Sequence, residues 1–167
     1  MTTCRLLTLV LLLASACKKE TELDALPKAT REGKHTFGCL VDGKAFLPKP
    51  AQATSITNRQ PLEAYVYQGY LYISARGDGG VDIVVKEAFK PGKYFLNSTS
   101  SGSNGYYKDA TGQYFTNDVQ IGEVDLTRID TLQKIAAGTF RFSAAGISTT
   151  AGKTVTITDG RFDVRLK

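Results

Sequence analysis

The 167 residues contain one histidine and three cysteines, and no stretch carries a catalytic, metal or cofactor signature. The one pairing open to a reactive thiol is therefore Cys39 with His35, four residues before it in an apparent strand entry. That spacing puts the two side chains on one face but well apart, which is poor geometry for proton transfer. Convincing helical periodicity is missing, no repeat of fixed period is present, and no apolar run approaches the ~20 residues a membrane-spanning helix needs. Charge of one sign is also scarce. A formal +5, from 21 basic and 16 acidic residues, is too mild and too dispersed to indicate nucleic acid. No cofactor and no metal are expected.

At the N-terminus, Arg5 precedes an apolar run, Leu6 to Ala14, of signal-peptide length, and Ala14-Ser15-Ala16 are the small residues a signal peptidase tolerates. Cys17 then stands where cleavage would make it the first residue of the mature chain. The stretch resembles a bacterial lipobox, with one departure: leucine is usual three places before the cysteine, and here Leu13 lies one place early, with Ala14 following. The resemblance implies a diacylglycerol on the Cys17 sulfur and a membrane contact through acyl chains, with Lys18 and Lys19 at headgroup level. It also accounts for the cysteines. Cys4 leaves with the signal, Cys17 is acylated, and Cys39 remains as a lone thiol best suited to a buried apolar position. Residues 1–16 read as the signal, 17–33 as a charged flexible tether without aromatic residues, and 34–167 as one domain.

Within the domain, strand signals recur every 8 to 12 residues, which predicts an all-β antiparallel sandwich of roughly nine or ten strands. "TFGCLVDGKAFLP" reads as a hairpin turning at Asp42-Gly43, with Cys39 opposite Phe46. Both faces of this hairpin are largely apolar, so it is expected to lie centrally or under another layer. "TVTITDGRFDVRL" reads the same way around Asp159-Gly160, pairing Ile157 with Phe162 and Val155 with Val164 on a core face.

Two surfaces carry a binding chemistry. In "EAYVYQGYLYISAR" a turn at Gln68-Gly69 opposes Tyr67 to Tyr70 and Tyr65 to Tyr72, gathering four rings on the face that continues into Glu63, Ser74 and Arg76. Ala64, Val66, Leu71, Ile73 and Ala75 take the core side. A wet platform of rings with hydroxyl handles suits sugar rings or a protein partner. Residues 97–117, "NSTSSGSNGYYKDATGQYFTN", combine serine, glycine and asparagine with Tyr106, Tyr107 and Tyr114, the composition of binding loops. A hairpin around Thr111-Gly112 orders the second half.

Weaker signals are read as structural. Arg76-Gly77-Asp78 spells an adhesion tripeptide but sits in a glycine-rich turn, and Asp78 and Asp82 lack the alternating oxygens of a calcium loop. Glu123 and Asp125 share a strand face as solvated carboxylates. Asp130-Thr131-Leu132 is similar to a short acceptor pattern for O-glycosylation at Thr131.

"TFGCLVDGKAFLP", "GYYKDATGQYFTN", "GEVDLTRID", "AAGTFRFSA" and "GKTVTITDGRFDV" occur in an order that resembles a family of Bacteroidota lipoproteins built on a domain of unknown function. The resemblance implies a β-sandwich on a lipid anchor and carries over no catalytic residue. The expectation is a non-catalytic lipoprotein of the cell envelope at the outer membrane, periplasmic or surface-exposed, that binds or scaffolds a glycan or a protein partner. A purely structural accessory subunit is the alternative. A hydrolase drawing on Glu123, Asp125 and His35 comes third.

Overall fold

A computed structural model describes residues 21–50, 60–97 and 101–167. Cys17, and residues 1–16 read as a signal, lie outside the described residues. The protein is all-β and sandwich-like, with eleven antiparallel strands among the described residues. These are β1 (Thr36–Val41), β2 (Lys44–Phe46), β3 (Leu62–Tyr67), β4 (Tyr70–Arg76), β5 (Gly80–Lys86) and β6 (Gly92–Leu96), followed by β7 (Asn104–Lys108), β8 (Gln113–Phe115), β9 (Gly122–Asp130), β10 (Ile135–Ile147) and β11 (Thr154–Arg165). The strands form one continuous sheet in the order β2-β1-β11-β10-β8-β7-β5-β4-β3, with β9 also on β10 and β6 on β9.

The long strand β10 explains how one sheet makes two layers. Its Ile135–Phe142 part pairs with β9, while Ala145–Ile147 pairs with β8, so the strand passes from one half of the sheet to the other. Inward residues of both halves meet in a single core: Leu71, Ile73, Ile83 and Val85 from one, Val124, Phe140, Ile157, Phe162 and Val164 from the other. At Gly105 in β7 an added Cβ would lie 2.8 Å from the Phe142 ring of β10, which measures how closely the halves approach. Beyond β11 the sheet folds back toward its own edge, where the Lys167 amide donates to the Ala64 carbonyl of β3 at 3.0 Å.

Two predicted hairpins form as read. Asp42 and Gly43 have φ of 47° and 80°, Gln68 and Gly69 have 49° and 80°, and two consecutive positive values are what a type I′ turn needs. Cys39 opposes Phe46, Tyr65 opposes Tyr72, and Tyr67 opposes Tyr70. Asp159-Gly160 is different. Thr154–Arg165 is one unbroken strand paired with β10 on one side and β1 on the other. Ile157 lies opposite Phe142 and Val41, and Phe162 opposite Gly138 and Phe37, so the predicted Ile157 to Phe162 pairing is corrected. The dipeptide makes a bulge: Asp159 takes φ of 51° and the register of both flanking pairings shifts there.

Part of the segment read as a tether is packed: Leu26 is buried, and Leu26 and Pro27 cover Gly38 of β1, while residues 21–25 stay exposed. The outer face of β1 is covered, as its apolar character predicted. What holds the segment is Asp163 of β11, 1% exposed. Its carboxylate accepts from Thr30 Oγ1 at 2.5 Å and from the backbone amides of Glu32, Gly33 and Lys34 at 3.0, 2.7 and 3.2 Å. Burial alone would raise the Asp163 pKa, but these hydrogen bonds outweigh it and hold the carboxyl below the usual range.

Cys39 is free and wholly buried, and burial pushes its thiol up to about 12. His35 does not serve it as a base. Its Nε2 donates to the Leu62 carbonyl and its Nδ1 accepts from the Arg165 amide, each at 3.2 Å. The folded protein should therefore resist thiol reagents at neutral pH and react at the rate of a free thiol once denatured. Stopped-flow modification with a chromogenic disulfide checks this, and rapid reaction of the native protein would contradict it.

Candidate functional site

Alternation along β3, β4, β5, β7 and β8 turns one set of side chains into the core and the other outward. Outward on β3 and β4 stand Tyr65, 39% exposed, Tyr67, 59% exposed, and the half-buried Tyr70 and Tyr72. Tyr65 and Tyr72 stack at 4.9 Å with ring planes 17° apart, and Tyr70 lies 6.0 Å from Tyr72. The exposed Phe89 ring lies beside Gly69 in the turn between β3 and β4.

The stretch read as a binding loop is largely ordered as β7 and β8, a hairpin in which Tyr106 opposes Phe115 and Tyr107 opposes Tyr114. Asp109 closes its turn by accepting from the Thr111 and Gly112 amides at 2.8 and 3.1 Å. Burial works against the Asp109 charge, yet the Thr111 hydroxyl, which donates to it at 2.6 Å, and then these amides lower its pKa. Alternation separates the three tyrosines of this stretch. Tyr106 joins the outward face, whereas Tyr114, 6% exposed, lies in the core with Tyr107 packed on it at 5.9 Å. Tyr107 and Tyr114, read with Tyr106 as rings of a binding loop, are turned inward by β-strand alternation. Burial first, and Asp109 second, push the Tyr107 hydroxyl up to about 12.

Sheet order brings distant parts of the sequence together. Because β7 pairs with β5 and β5 with β4, Tyr106 faces Asp82, and Asp82 faces Ser74. Tyr65 and Tyr72 line one side of a trough of about 380 Å³, and Tyr106 and Phe115, 4.6 Å apart, line the other. Arg76 and Asp82 also line it, joined by two hydrogen bonds of 2.6 and 2.9 Å. Asn104 and Ser74 add further polar groups. Burial, then the nearby Asp82 carboxylate, raise the Tyr106 pKa, with Arg76 opposing them. Asn104 and Phe115 fall inside the stretch read as a binding loop and Arg76 on the tyrosine face, but their meeting with Asp82 in one trough was not foreseen from sequence. Their signal was alternation in strands whose neighbours were unknown.

A model of the family described as Domain of unknown function (DUF6252) matches residues 59–164. The chain belongs to that family. The matched residues contain the whole trough and every strand from β3 through β10, while β1, β2 and the segment bound by Asp163 precede them. No curated protein and no solved structure matches the chain.

The remaining sequence signals stay apart. Arg76-Gly77-Asp78 is a turn in which Lys49 pairs with Asp78 at 2.6 Å while Arg76 is held by Asp82. Glu123 and Asp125 share an outward face and line a separate cleft of about 420 Å³, where Arg141 pairs with Glu123 at 3.1 Å. His35 does not line that cleft, so the structure does not assemble the three residues of the hydrolase reading. Thr131 is exposed in the turn between β9 and β10. Among the described residues no cluster of histidine, cysteine, aspartate and glutamate is placed to hold a metal.

Proposed function

We propose that this protein is a non-catalytic binding module of the cell envelope, anchored in the outer membrane by acyl chains on Cys17. The outward face of β3, β4, β5, β7 and β8 receives a glycan or a protein partner. One observation carries the binding role: five of the eight tyrosines, Tyr65, Tyr67, Tyr70, Tyr72 and Tyr106, lie on a single accessible sheet face. Rings spend little conformational entropy when a ligand covers them, and their hydroxyls supply directional bonds. The anchor rests on the Ala14-Ser15-Ala16-Cys17 sequence.

Each part has its own test. Cys17→Ala should release the protein from membranes in flotation gradients and abolish labelling by a fatty-acid analogue, and a variant that still floats and labels would remove the anchor. Tyr67→Ala/Tyr70→Ala should weaken binding to an identified glycan or purified partner by roughly 1–3 kcal/mol. Its unfolding free energy should fall less than that of Ile157→Ala/Phe162→Ala, where each truncation costs about 2–5 kcal/mol. Equal destabilisation of the two double variants would show that the tyrosines hold up the fold.

A further inference from the structure

We infer that the trough between the Tyr65–Tyr72 stack and the Tyr106–Phe115 pair takes a neutral carbohydrate chain, an assignment that rests on the binding-module reading above and names its ligand. The inner rings of the two pairs, Tyr72 and Tyr106, stand on β4 and β7, with β5 between, so the floor is two inter-strand spacings wide, about 10 Å. That floor is paired with neighbouring strands on both sides. It offers no row of free backbone groups to an extended peptide, which would leave much of its own main chain unpaired. A sugar ring suits the same surface, with C–H faces for the flat rings and hydroxyls for side-chain donors and acceptors. Charge decides between sugars. Among the described residues, the charged ones lining the trough are Arg76 and Asp82, and their two mutual hydrogen bonds cancel the charge while leaving lone pairs on the carboxylate. Within that lining a uronate would bring a negative charge with no unopposed cation to meet it, since the exposed Lys108, beside Arg76 over Gly80, stands at the end of the trough and outside its lining.

The test is affinity electrophoresis of the full-length protein, in a detergent without a sugar headgroup, through gels containing a galactomannan, a laminarin-type glucan, a xylan or starch, with polygalacturonate as anionic comparator. Tyrosine emission gives a second readout, since the chain has no tryptophan. At least one neutral polysaccharide should retard the protein and alter that emission, and polygalacturonate should do neither. Tyr72→Ala and Tyr106→Ala should each weaken retardation about tenfold or more with little change in thermal midpoint, while Tyr106→Phe keeps it. Asp82→Asn leaves Arg76 unopposed and should shift preference toward polygalacturonate. Retardation by polygalacturonate alone, by none of the four neutral chains, or unchanged in the folded alanine variants would overturn the assignment. If it falls while Tyr67→Ala/Tyr70→Ala still weakens association with a purified protein partner, the binding-module reading stands without it; if that association is also unaffected, both fall.

Discussion

Asp163→Ala lowers the unfolding free energy by about 3 kcal/mol or more, because hydrogen bonds to a charged group contribute about 1.5–3 kcal/mol each and four are lost together. Three of the orphaned donors are backbone amides in a fixed geometry, and that of Gly33 is in a buried residue. Asp163→Asn should recover only part of the loss, since its amide nitrogen is a donor set against donors. Urea titration measures both. A second readout is local: Arg31 and Lys34 are already exposed, and freeing the backbone of residues 30–34 lets it enter a protease site, so tryptic cleavage there should accelerate in the variants under native conditions. The direction of the pKa shift fixes the pH dependence. A carboxyl whose folded pKa is depressed stabilises the fold fully above its unfolded pKa of about 4 and loses that contribution as pH falls through the lower folded value. The stability difference between wild type and Asp163→Ala should therefore hold at neutral pH and shrink in acid. A difference that is constant from neutral pH into acid would mean that the charge plays no part.

Phe140→Ala should cost about 3–5 kcal/mol, the range for removing a ring from a packed core. Phe140 is 4% exposed and lies 5.2 Å from the Phe37 ring and 6.3 Å from that of Phe162, so its removal opens space at the junction of β1, β10 and β11. The same ring covers the bulge: a Cβ at Gly160 would come within 2.6 Å of three of its carbons. Gly160→Ala should accordingly be destabilising by itself, through collision with a buried ring. The double variant is the sharper measurement. With Phe140 truncated, the methyl group that Gly160→Ala introduces enters vacated space, and the combined loss should fall short of the sum by about 0.5–3 kcal/mol. Additive losses would place the strain of Gly160→Ala in the backbone and not against Phe140.

The bulge also shows what local sequence can and cannot specify. A two-residue turn and a bulge at Asp159-Gly160 both reverse the parity of the alternation, so Val155, Ile157, Phe162 and Val164 share a face in either case, and all four are buried. Nothing in "TVTITDGRFDVRL" separates the two. The partners decide, because β1 and β10 flank the strand along both parts and a hairpin would have to give up one of these ladders. The tether is a similar case. Residues 21–33 have the charge and polarity of a flexible linker, but composition carries no record of a carboxylate 130 positions away that binds their backbone.

For the candidate site, sequence alone determined which side chains of β3 and β4 share a face. Period-two alternation and the Gln68-Gly69 turn placed Tyr65, Tyr67, Tyr70 and Tyr72 together, because a two-residue turn fixes register and register fixes the face. The same rule, applied to "NGYYKD" without its strand bounds, could not say which of Tyr106 and Tyr107 points out. Tertiary structure decided what stands beside the tyrosines. Pairing of β5 with β7 is a contact between segments distant in the chain, chosen by burying Val81, Ile83 and Val85 against the opposite half of the sheet. Only that choice brings Tyr106, Phe115 and Asn104 to the Arg76–Asp82 pair. Alternation is a property of each strand and is written locally, whereas strand order is a property of the whole core, which forms only when both halves of the sheet close over it.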